Sequence, residues 1–254
     1  MRALITGASS GIGREMAILL SEKNYELILV ARNQESLEAL QNQLHTPVQI
    51  YTMDLAEPKS CYALYEAVSG EAEPLDLLIN NAGFGCFGPF SETDLETELN
   101  MIDLNIRAVH ILTKLFLRDF IKRDEGTILN VSSIAAFMPG PLMATYYASK
   151  AYVQRLTEAI HEELRRQKSQ VRICALCPGP VKTNFNKRAG ISGTTSGQDS
   201  RAVAEYALKK AMRGRLIIIP SLSWRILRQL ARFAGTGLLL RFVYFFQNQR
   251  RQKQ

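Results

Sequence analysis

Residues 6–13 read Thr-Gly-Ala-Ser-Ser-Gly-Ile-Gly and stand between an apolar run, Ala3 to Thr6, and an amphipathic pattern that begins at Ile12. Gly7 permits a tight turn, Gly11 lets backbone come close to a pyrophosphate, and Gly13 lets a helix pack near the strand. The helix N-terminus would face the anion. We therefore predict a strand, a phosphate-binding turn that includes Ser9, Ser10 and Ile12, and a helix. An ordinary glycine-rich turn is the alternative.

The same alternation of short apolar runs and helical patterns continues along the chain. Six further runs are candidate strands: Leu27 to Ala31, Val48 to Met53, Leu75 to Asn80, Thr127 to Val131, Val171 to Cys177 and Leu216 to Ile219. Most are apolar throughout, as in a parallel sheet that is covered on both faces. Between them, apolar residues recur three and four apart, which is typical of helices. We predict an α/β fold: one doubly wound domain over residues 1–220 with a seven-stranded parallel sheet.

The composition is that of a globular protein, and the charge is distributed unevenly along the chain. With 254 residues, 46% of them hydrophobic and 22% charged, the chain is neither disordered nor fibrous. Residues 1–181 hold 16 Lys+Arg against 22 Asp+Glu, whereas residues 182–254 hold 15 against 2. Four cysteines and the lack of an apolar leader pattern favour a reducing, cytoplasmic location.

Residues at the end of the second predicted strand should contact the adenosine ribose of a dinucleotide. Ala31-Arg32-Asn33 offers no carboxylate there. Arg32 supplies a planar fork that suits a 2′-phosphate, and Arg14 could assist, so NADP(H) is favoured over NAD. Asp54 and Leu55 follow the third strand, and Asp54 can accept a hydrogen bond from adenine. A solvated Arg32 and a simple turn at Asp54 are the alternatives.

A candidate acid/base pair follows the fifth predicted strand. Tyr146 and Lys150 lie at i and i+4, about 5 to 6 Å apart at Cβ on one helix face. A nearby ammonium and an oxidised nicotinamide ring would both lower the pKa of a phenol toward the working range. Ser133 would hydrogen-bond the same substrate oxygen. Tyr147 is expected to pack or to line the substrate pocket.

These motifs together resemble the classical short-chain dehydrogenase/reductase (SDR) family. The matching stretches are residues 6–13, Asn-Asn-Ala-Gly at 80–83, Ser-Ser at 132–133, Tyr-Tyr-Ala-Ser-Lys at 146–150 and Pro-Gly-Pro-Val-Lys-Thr at 178–183. The resemblance implies a Rossmann-like fold, a nicotinamide cofactor and a catalytic tetrad of Asn105, Ser133, Tyr146 and Lys150, with Asn100 as the nearby competitor of Asn105. It also implies cofactor contacts from Tyr146, Lys150, Asn81, Ala82, Gly83, Pro178, Gly179, Val181 and Thr183, and a homodimer or homotetramer.

The sequence thus predicts an enzyme that transfers hydride between NADP(H) and a carbonyl or secondary alcohol. Aromatic and methionine residues that could line the pocket favour a hydrophobic ketone or aldehyde: Phe84, Phe87, Phe90, Phe137, Met138, Met143 and Phe185. A non-catalytic NADP(H)-binding sensor and a membrane-surface keto-lipid reductase are the alternatives. Cys174 and Cys177 fall within a strand and no His or Cys spacing suits a metal, so no metal is expected.

Two segments lie outside the core motifs. Residues 186–200 are rich in Gly, Ser and Thr and predict a flexible lid loop. Residues 221–254 form a basic amphipathic extension, with Trp224, Ile226, Leu227, Leu230 and Phe233 at helical spacing. We expect this extension to pack on the domain over the substrate pocket, or against a partner subunit, and peripheral contact with an anionic membrane is the alternative. No nucleic-acid motif accompanies its arginines.

Overall fold

The computed structural model of the chain describes residues 1–191 and 197–251. Its centre is a sheet of seven parallel strands in the order β3-β2-β1-β4-β5-β6-β7. The strands are β1 Arg2–Thr6, β2 Glu26–Ala31, β3 Val48–Thr52, β4 Leu77–Asn80, β5 Thr127–Val131, β6 Arg172–Leu176 and β7 Ile217–Ile218. The predicted Rossmann-like, doubly wound sheet is confirmed. The strand order reverses between β1 and β4, and this switch point opens a crevice at the carboxyl ends of the strands.

Helices cover both faces of the sheet. They are α1 Gly11–Ser21, α2 Gln34–Gln41, α3 Pro58–Ser69, α4 Leu95–Ile102, α5 Val109–Arg123, α6 Ala144–Arg166, α7 Phe185–Arg188, α8 Ser200–Ala211, α9 Leu222–Phe233 and α10 Thr236–Arg251. A 3₁₀ turn spans Ile134–Phe137. Asn33, Asp94 and Asp199 cap α2, α4 and α8, because each side chain accepts a hydrogen bond from a backbone N–H in the first turn.

Alternate residues of each strand enter two separate apolar layers. Ala3 and Ile5 of β1 pack with α1 and α8, whereas Leu4 packs with α3 and α5 on the other face. All three side chains are fully buried. This two-sided burial is the reason that the strands are apolar throughout instead of alternating with polar residues.

Two sequence expectations differ from the structure. The apolar spacing over Leu99 to Ile121 is that of one continuous helix, whereas in the structure a π-helical turn at Asp103–Ala108 separates α4 from α5. The predicted loop over 186–200 contains part of α7, and Val181 and Gln198 form a parallel bridge at its far side. Residues 192–196 of that loop lie outside the described residues.

The C-terminal helices follow β7 and pack against the domain. Trp224 of α9 packs beside Cys177 and Ile219, and Val243 and Gln247 of α10 are buried. The extension is therefore a wall on the carboxyl-end side of the sheet. Among residues 1–191 and 197–251, no helix is long and apolar enough to cross a membrane.

Candidate active site

One cavity of about 1610 Å³ runs along the carboxyl ends of the strands. Small-molecule pockets are commonly about 300 to 1,000 Å³, so this cavity has room for a dinucleotide and a second molecule. All but two of the predicted site residues line it: Gly7, Ser9, Ser10, Gly11, Ile12, Arg32, Asp54, Leu55, Asn81, Ala82, Gly83, Ser133, Tyr146, Lys150, Pro178, Gly179, Val181 and Thr183. Gly13 and Asn105 do not line it.

The phosphate-binding turn has a backbone that only glycine adopts easily. Gly7 and Gly11 have φ values of 65° and 58°, in the left-handed region that favours glycine. A Cβ on Gly13 would lie 2.4 Å from Asn81 Nδ2 and 2.6 Å from the Gly7 carbonyl oxygen. Helix α1 begins at Gly11, and the Ser10 hydroxyl makes no capping hydrogen bond to its backbone. The N-terminus of α1 could therefore hold the phosphates of a dinucleotide.

The Asn81 side chain braces this turn from the adjacent strand. Its Nδ2 donates hydrogen bonds to the carbonyl oxygens of Thr6 at 3.0 Å and Gly7 at 3.1 Å. The backbone N–H groups of Asn81 and Ala82 both donate to Thr6 Oγ1 at 3.0 Å. The Asn81 amide is therefore committed to holding the turn in place.

The position where the adenosine ribose of a dinucleotide would bind has one positively charged and one negatively charged side chain. Arg32 is 61% exposed at the cavity rim, and its Nη1 lies 3.6 Å from Asp54 Oδ2. Asp54 Oδ1 accepts a hydrogen bond from the Ala56 N–H at 3.0 Å. Arg14 points elsewhere, since its guanidinium donates to Glu15 at 3.0 Å and to Gln43 at 2.6 Å. Of the two arginines suggested by the sequence, the structure brings only Arg32 to the cavity.

Three of the candidate catalytic residues lie close together near the carboxyl end of β5. Ser133 follows β5, Tyr146 and Lys150 lie on α6, and all three side chains are buried. The Ser133 side chain is hydrogen-bonded to the Tyr146 hydroxyl. Lys150 Nζ donates to the Val131 carbonyl oxygen at 3.0 Å and lies 5.9 Å from the centre of the Tyr146 ring. The phenol, the hydroxyl and the amine thus form one compact group at the cavity wall.

Burial dominates the acid-base properties of this group. It raises the pKa of Tyr146 to about 12, although the hydrogen bond with Ser133 works in the opposite direction. It lowers the pKa of Lys150 to about 8. The expected drop of the phenol pKa beside the lysine is therefore absent from the protein itself, because the cost of desolvating a phenolate exceeds the effect of its neighbours. Tyr146 is a protonated phenol at neutral pH.

Asn105 lies behind the other three candidates and, unlike them, does not line the cavity. It lies fully buried in the π-helical turn. Its Oδ1 accepts from the Phe84 N–H at 3.1 Å, and its Nδ2 donates to the Phe84 carbonyl at 2.9 Å and to Ser149 Oγ at 3.1 Å. Asn105 ties the segment after β4 to α6, which is a positioning role. The competitor Asn100 does line the cavity.

The structure also sorts the predicted pocket residues. Phe84, Met138, Met143 and Phe185 line the cavity with Tyr147, whereas Phe87, Phe90 and Phe137 do not. Phe90 is exposed, and Phe137 packs beside Trp224. The C-terminal extension packs over the cavity, in agreement with one of the two packing arrangements expected from the sequence. The residues that it contributes are Ser221, Ser223, Trp224, Leu227, Phe242, Val243, Phe246 and Gln247.

Gln247 makes the most specific of these contacts. Its Nε2 donates to the Tyr147 hydroxyl at 2.9 Å and lies 3.7 Å from Met143 Sδ. The apolar spacing of the tail marked a helix but held no signal for this hydrogen bond, since its partner lies 100 residues away. Among the described residues, no group of three His, Cys, Asp or Glu side chains could hold a metal ion, and Cys61, Cys86, Cys174 and Cys177 are free.

The chain is similar to known proteins both in sequence and in fold. Residues 1–191 match the family model for short chain dehydrogenases. A short-chain dehydrogenase from Sphingobium yanoikuyae in complex with NADPH is 30% identical, with a TM-score of 0.82 over 91% of this chain and 93% of that one. A bulky-bulky ketone specific alcohol dehydrogenase from Comamonas testosteroni is 28% identical, with a TM-score of 0.78 over 91% and 92%. The same fold occurs in a short chain dehydrogenase/reductase from Burkholderia phymatum in complex with NAD, at 24% identity and a TM-score of 0.81 over 90% and 92%.

Proposed function

The chain belongs to the short-chain dehydrogenase family and is an oxidoreductase of that family, and from this premise we propose that it is an NADPH-dependent carbonyl reductase. The observation that carries the proposal is the buried group of Ser133, Tyr146 and Lys150 at the wall of a largely apolar cavity. A non-catalytic sensor has no use for a buried lysine and phenol beside the nucleotide, since burying them opposes their charged forms.

The residues of the cavity fit a nicotinamide dinucleotide. The turn at Gly7 to Gly13 would hold the phosphates, Arg32 the adenosine ribose, and Val181 and Thr183 the carboxamide, while Lys150 would reach the nicotinamide ribose. When bound, the reduced cofactor supplies a hydride to the substrate carbonyl carbon. Ser133 holds the carbonyl oxygen by a hydrogen bond, and Tyr146 Oη donates the proton that this oxygen needs to become an alcohol. The phenolate left on Tyr146 is stabilised by the Lys150 ammonium until solvent returns a proton.

Adjacent tyrosines provide the test of this role. Tyr146→Phe should lower kcat by about 100- to 10,000-fold, the usual contribution of a general acid, and should leave NADPH binding within about twofold because the ring stays in place. Tyr147→Phe is the matched control, since its hydroxyl also faces the cavity but bonds Gln247. Turnover is followed by NADPH absorbance with an aryl ketone. Loss of kcat in Tyr147→Phe but not in Tyr146→Phe would contradict the proposal, because it would make Tyr147 the proton donor.

The choice of NADPH rests on Arg32. Its exposed guanidinium at the cavity rim suits a 2′-phosphate. Arg32→Ala should raise the KM for NADPH by about 10- to 100-fold, the value of one charge-assisted contact, and change the KM for NADH little. Arg14→Ala is the control, because Arg14 is engaged with Glu15 and Gln43. Equal effects of Arg32→Ala on both nucleotides would contradict the preference.

We further propose a hydrophobic ketone or aldehyde as the substrate. Phe84, Met143, Phe185 and Phe246 supply apolar walls near Tyr146, and a bulky ketone is the named substrate of the similar Comamonas testosteroni enzyme. A panel of small, aryl and long-chain ketones and aldehydes, compared by kcat/KM, tests this: a preference for the smallest, most polar members would contradict it. Assembly into homodimers or homotetramers and a cytoplasmic location stay predictions from the sequence.

A second candidate function, reduction of a keto-lipid at a membrane surface, is favoured by one observation. Helix α10 contributes Phe242 and Phe246 to the cavity wall, and the same two rings remain half exposed to solvent. An apolar substrate could therefore reach the cavity beside an apolar outer surface. Activity toward a long-chain 3-ketone in mixed vesicles, compared with the same ketone in detergent, distinguishes this candidate from the first.

A further inference from the structure

Helix α9 exposes an apolar stripe, where a surface helix normally presents polar residues. Leu222, Ile226, Leu230 and Phe233 are 66%, 55%, 62% and 89% exposed. Their spacing of four, four and three residues places them on one face of the helix. Scattered exposed apolar residues are ordinary, but a continuous stripe marks a surface that is covered by something.

The inner face of α9 holds the helix in this orientation. Trp224 packs beside Cys177 and Ile219. Arg225 Nε donates to the Ile219 carbonyl oxygen at 2.7 Å, and the Arg228 guanidinium lies 4.6 Å from the centre of the Phe137 ring. Because three side chains anchor the opposite face, the stripe points outward as a result of the packing.

Helix α10 carries a second set of exposed apolar residues, beside the cavity. Leu238, Phe242 and Phe245 are exposed, whereas Val243 and Gln247 are buried. Phe242 and Phe246 line the cavity with their ring centres 4.7 Å apart. We refer to the exposed apolar residues of α9 and α10 as the tail surface. It adjoins the wall of the substrate cavity through these two rings.

The charge of the two helices selects what can cover the tail surface. Residues 222–251 contain six arginines and no acidic residue. A symmetric contact with a second copy would bring together two segments of the same net positive charge. An anionic lipid surface instead attracts arginines and takes up leucine and phenylalanine side chains at its interface.

We infer that the tail surface docks this protein on anionic membranes, with the helices in the interface plane and the α10 side of the cavity toward the lipid. The substrate class that follows is an amphiphilic ketone with a long apolar chain, which would enter past Phe242 and Phe246. This substrate assignment rests on the proposed function, whereas the docking itself does not.

Flotation of the full-length protein with vesicles tests the docking. The vesicles are phosphatidylcholine with about 30% phosphatidylglycerol, compared with phosphatidylcholine alone. We expect binding to the anionic vesicles only, and at least tenfold less in the double variant Ile226→Glu/Phe233→Glu. Tyr62→Glu is the matched control, because Tyr62 is a half-exposed aromatic residue on α3, and it should float like the unaltered protein.

Three outcomes overturn the docking. These are the absence of flotation with anionic vesicles, equal flotation of the double variant, and a smaller molar mass of the double variant by light scattering, which would make the tail surface a contact between copies. Circular dichroism and unfolding temperature verify that the variants fold.

Turnover separates this inference from the proposed function. Neither Ile226 nor Phe233 lines the cavity, so the double variant should reduce a water-soluble aryl ketone at a rate within twofold of the unaltered protein. It should lose at least tenfold of its rate on a long-chain ketone dissolved in anionic vesicles. Flotation without any turnover would refute the proposed function and leave the docking intact, whereas turnover without flotation would do the reverse.

Discussion

Replacing Lys150 by methionine should make the protein more stable near neutral pH while abolishing turnover. The side chain is 5% exposed, and burial lowers its pKa from the ordinary 10.5 to about 8. An amine with a lowered pKa in the folded state opposes folding whenever it is charged in both states. Methionine has a similar length, packs in the same apolar space and carries no charge.

The direction and size of the effect follow from proton linkage. Between pH 8 and 10.5 the unfolded chain holds a proton on Lys150 that the folded protein has released, so this group makes stability rise with pH through that window. Below about pH 8 the buried charge of Lys150 destabilises the folded protein by its full amount. The interval from 10.5 to about 8 corresponds to about 3 kcal/mol. Loss of the hydrogen bond to the Val131 carbonyl returns about 1 kcal/mol, which leaves a gain of about 2 kcal/mol at pH 7.

Urea unfolding without nucleotide at pH 7, 8 and 9 measures this gain as a difference between the variant and the unaltered protein. Burial raises the pKa of Cys174 to about 12, which lowers stability at high pH in both proteins and cancels in the difference. The gain should shrink as pH rises, and Lys114→Met on the exposed side of α5 should change stability by less than about 0.5 kcal/mol. A Lys150→Met protein that is less stable at pH 7, or a gain that does not vary with pH, refutes the reasoning.

Two glycines yield further predictions through the contacts that a methyl group would make. Gly13→Ala should destabilise the protein by about 1 to 3 kcal/mol and weaken NADPH binding, because its Cβ would meet Asn81 Nδ2 at 2.4 Å; urea unfolding and a nucleotide titration check this. Gly179→Ala should displace Trp224, whose Nε1 would lie 2.3 Å from the new Cβ, and the emission of this single tryptophan should shift to longer wavelength. Gly235→Ala meets nothing within 4 Å and is the control for both, with unchanged emission and nucleotide affinity.

Local pattern was sufficient for the sheet and for most of the cavity lining. Continuous apolar runs predicted most of the strands because those strands are buried on both faces, although the edge strand β3 is only partly buried. The polar residues that follow the strands predicted which side chains would converge. Strand β7 is shorter than expected, Ile217–Ile218 in place of Leu216 to Ile219, since it pairs with β6 only along those two residues. Convergence at strand ends is a property of the topology, so it could be read from the order of the motifs.

Long-range contacts were beyond such patterns. The π-helical turn places one extra residue per turn where Asn105 hydrogen-bonds the Phe84 backbone. The apolar spacing of this stretch is that of an ordinary α-helix, so the sequence did not predict the π-helical turn. The contribution of α9 and α10 to the cavity depends on Trp224 meeting Gly179 and on Gln247 meeting Tyr147. Both contacts arise from tertiary packing, and an amphipathic spacing specifies which face of a helix is apolar but not what lies opposite.

The burial that costs stability at Lys150 also favours one direction of the proposed reaction. Both shifts favour neutral groups: the phenol of Tyr146 keeps its proton, and the amine of Lys150 titrates near pH 8. Reduction of a carbonyl needs the protonated phenol and consumes its proton, whereas oxidation of an alcohol must begin from the phenolate that burial opposes. At pH 7 the amine is still mostly charged and stabilises the phenolate that reduction leaves behind. Desolvation thus favours the protonation state that reduction needs at neutral pH, whereas the net direction of turnover also depends on the ratio of reduced to oxidised nucleotide.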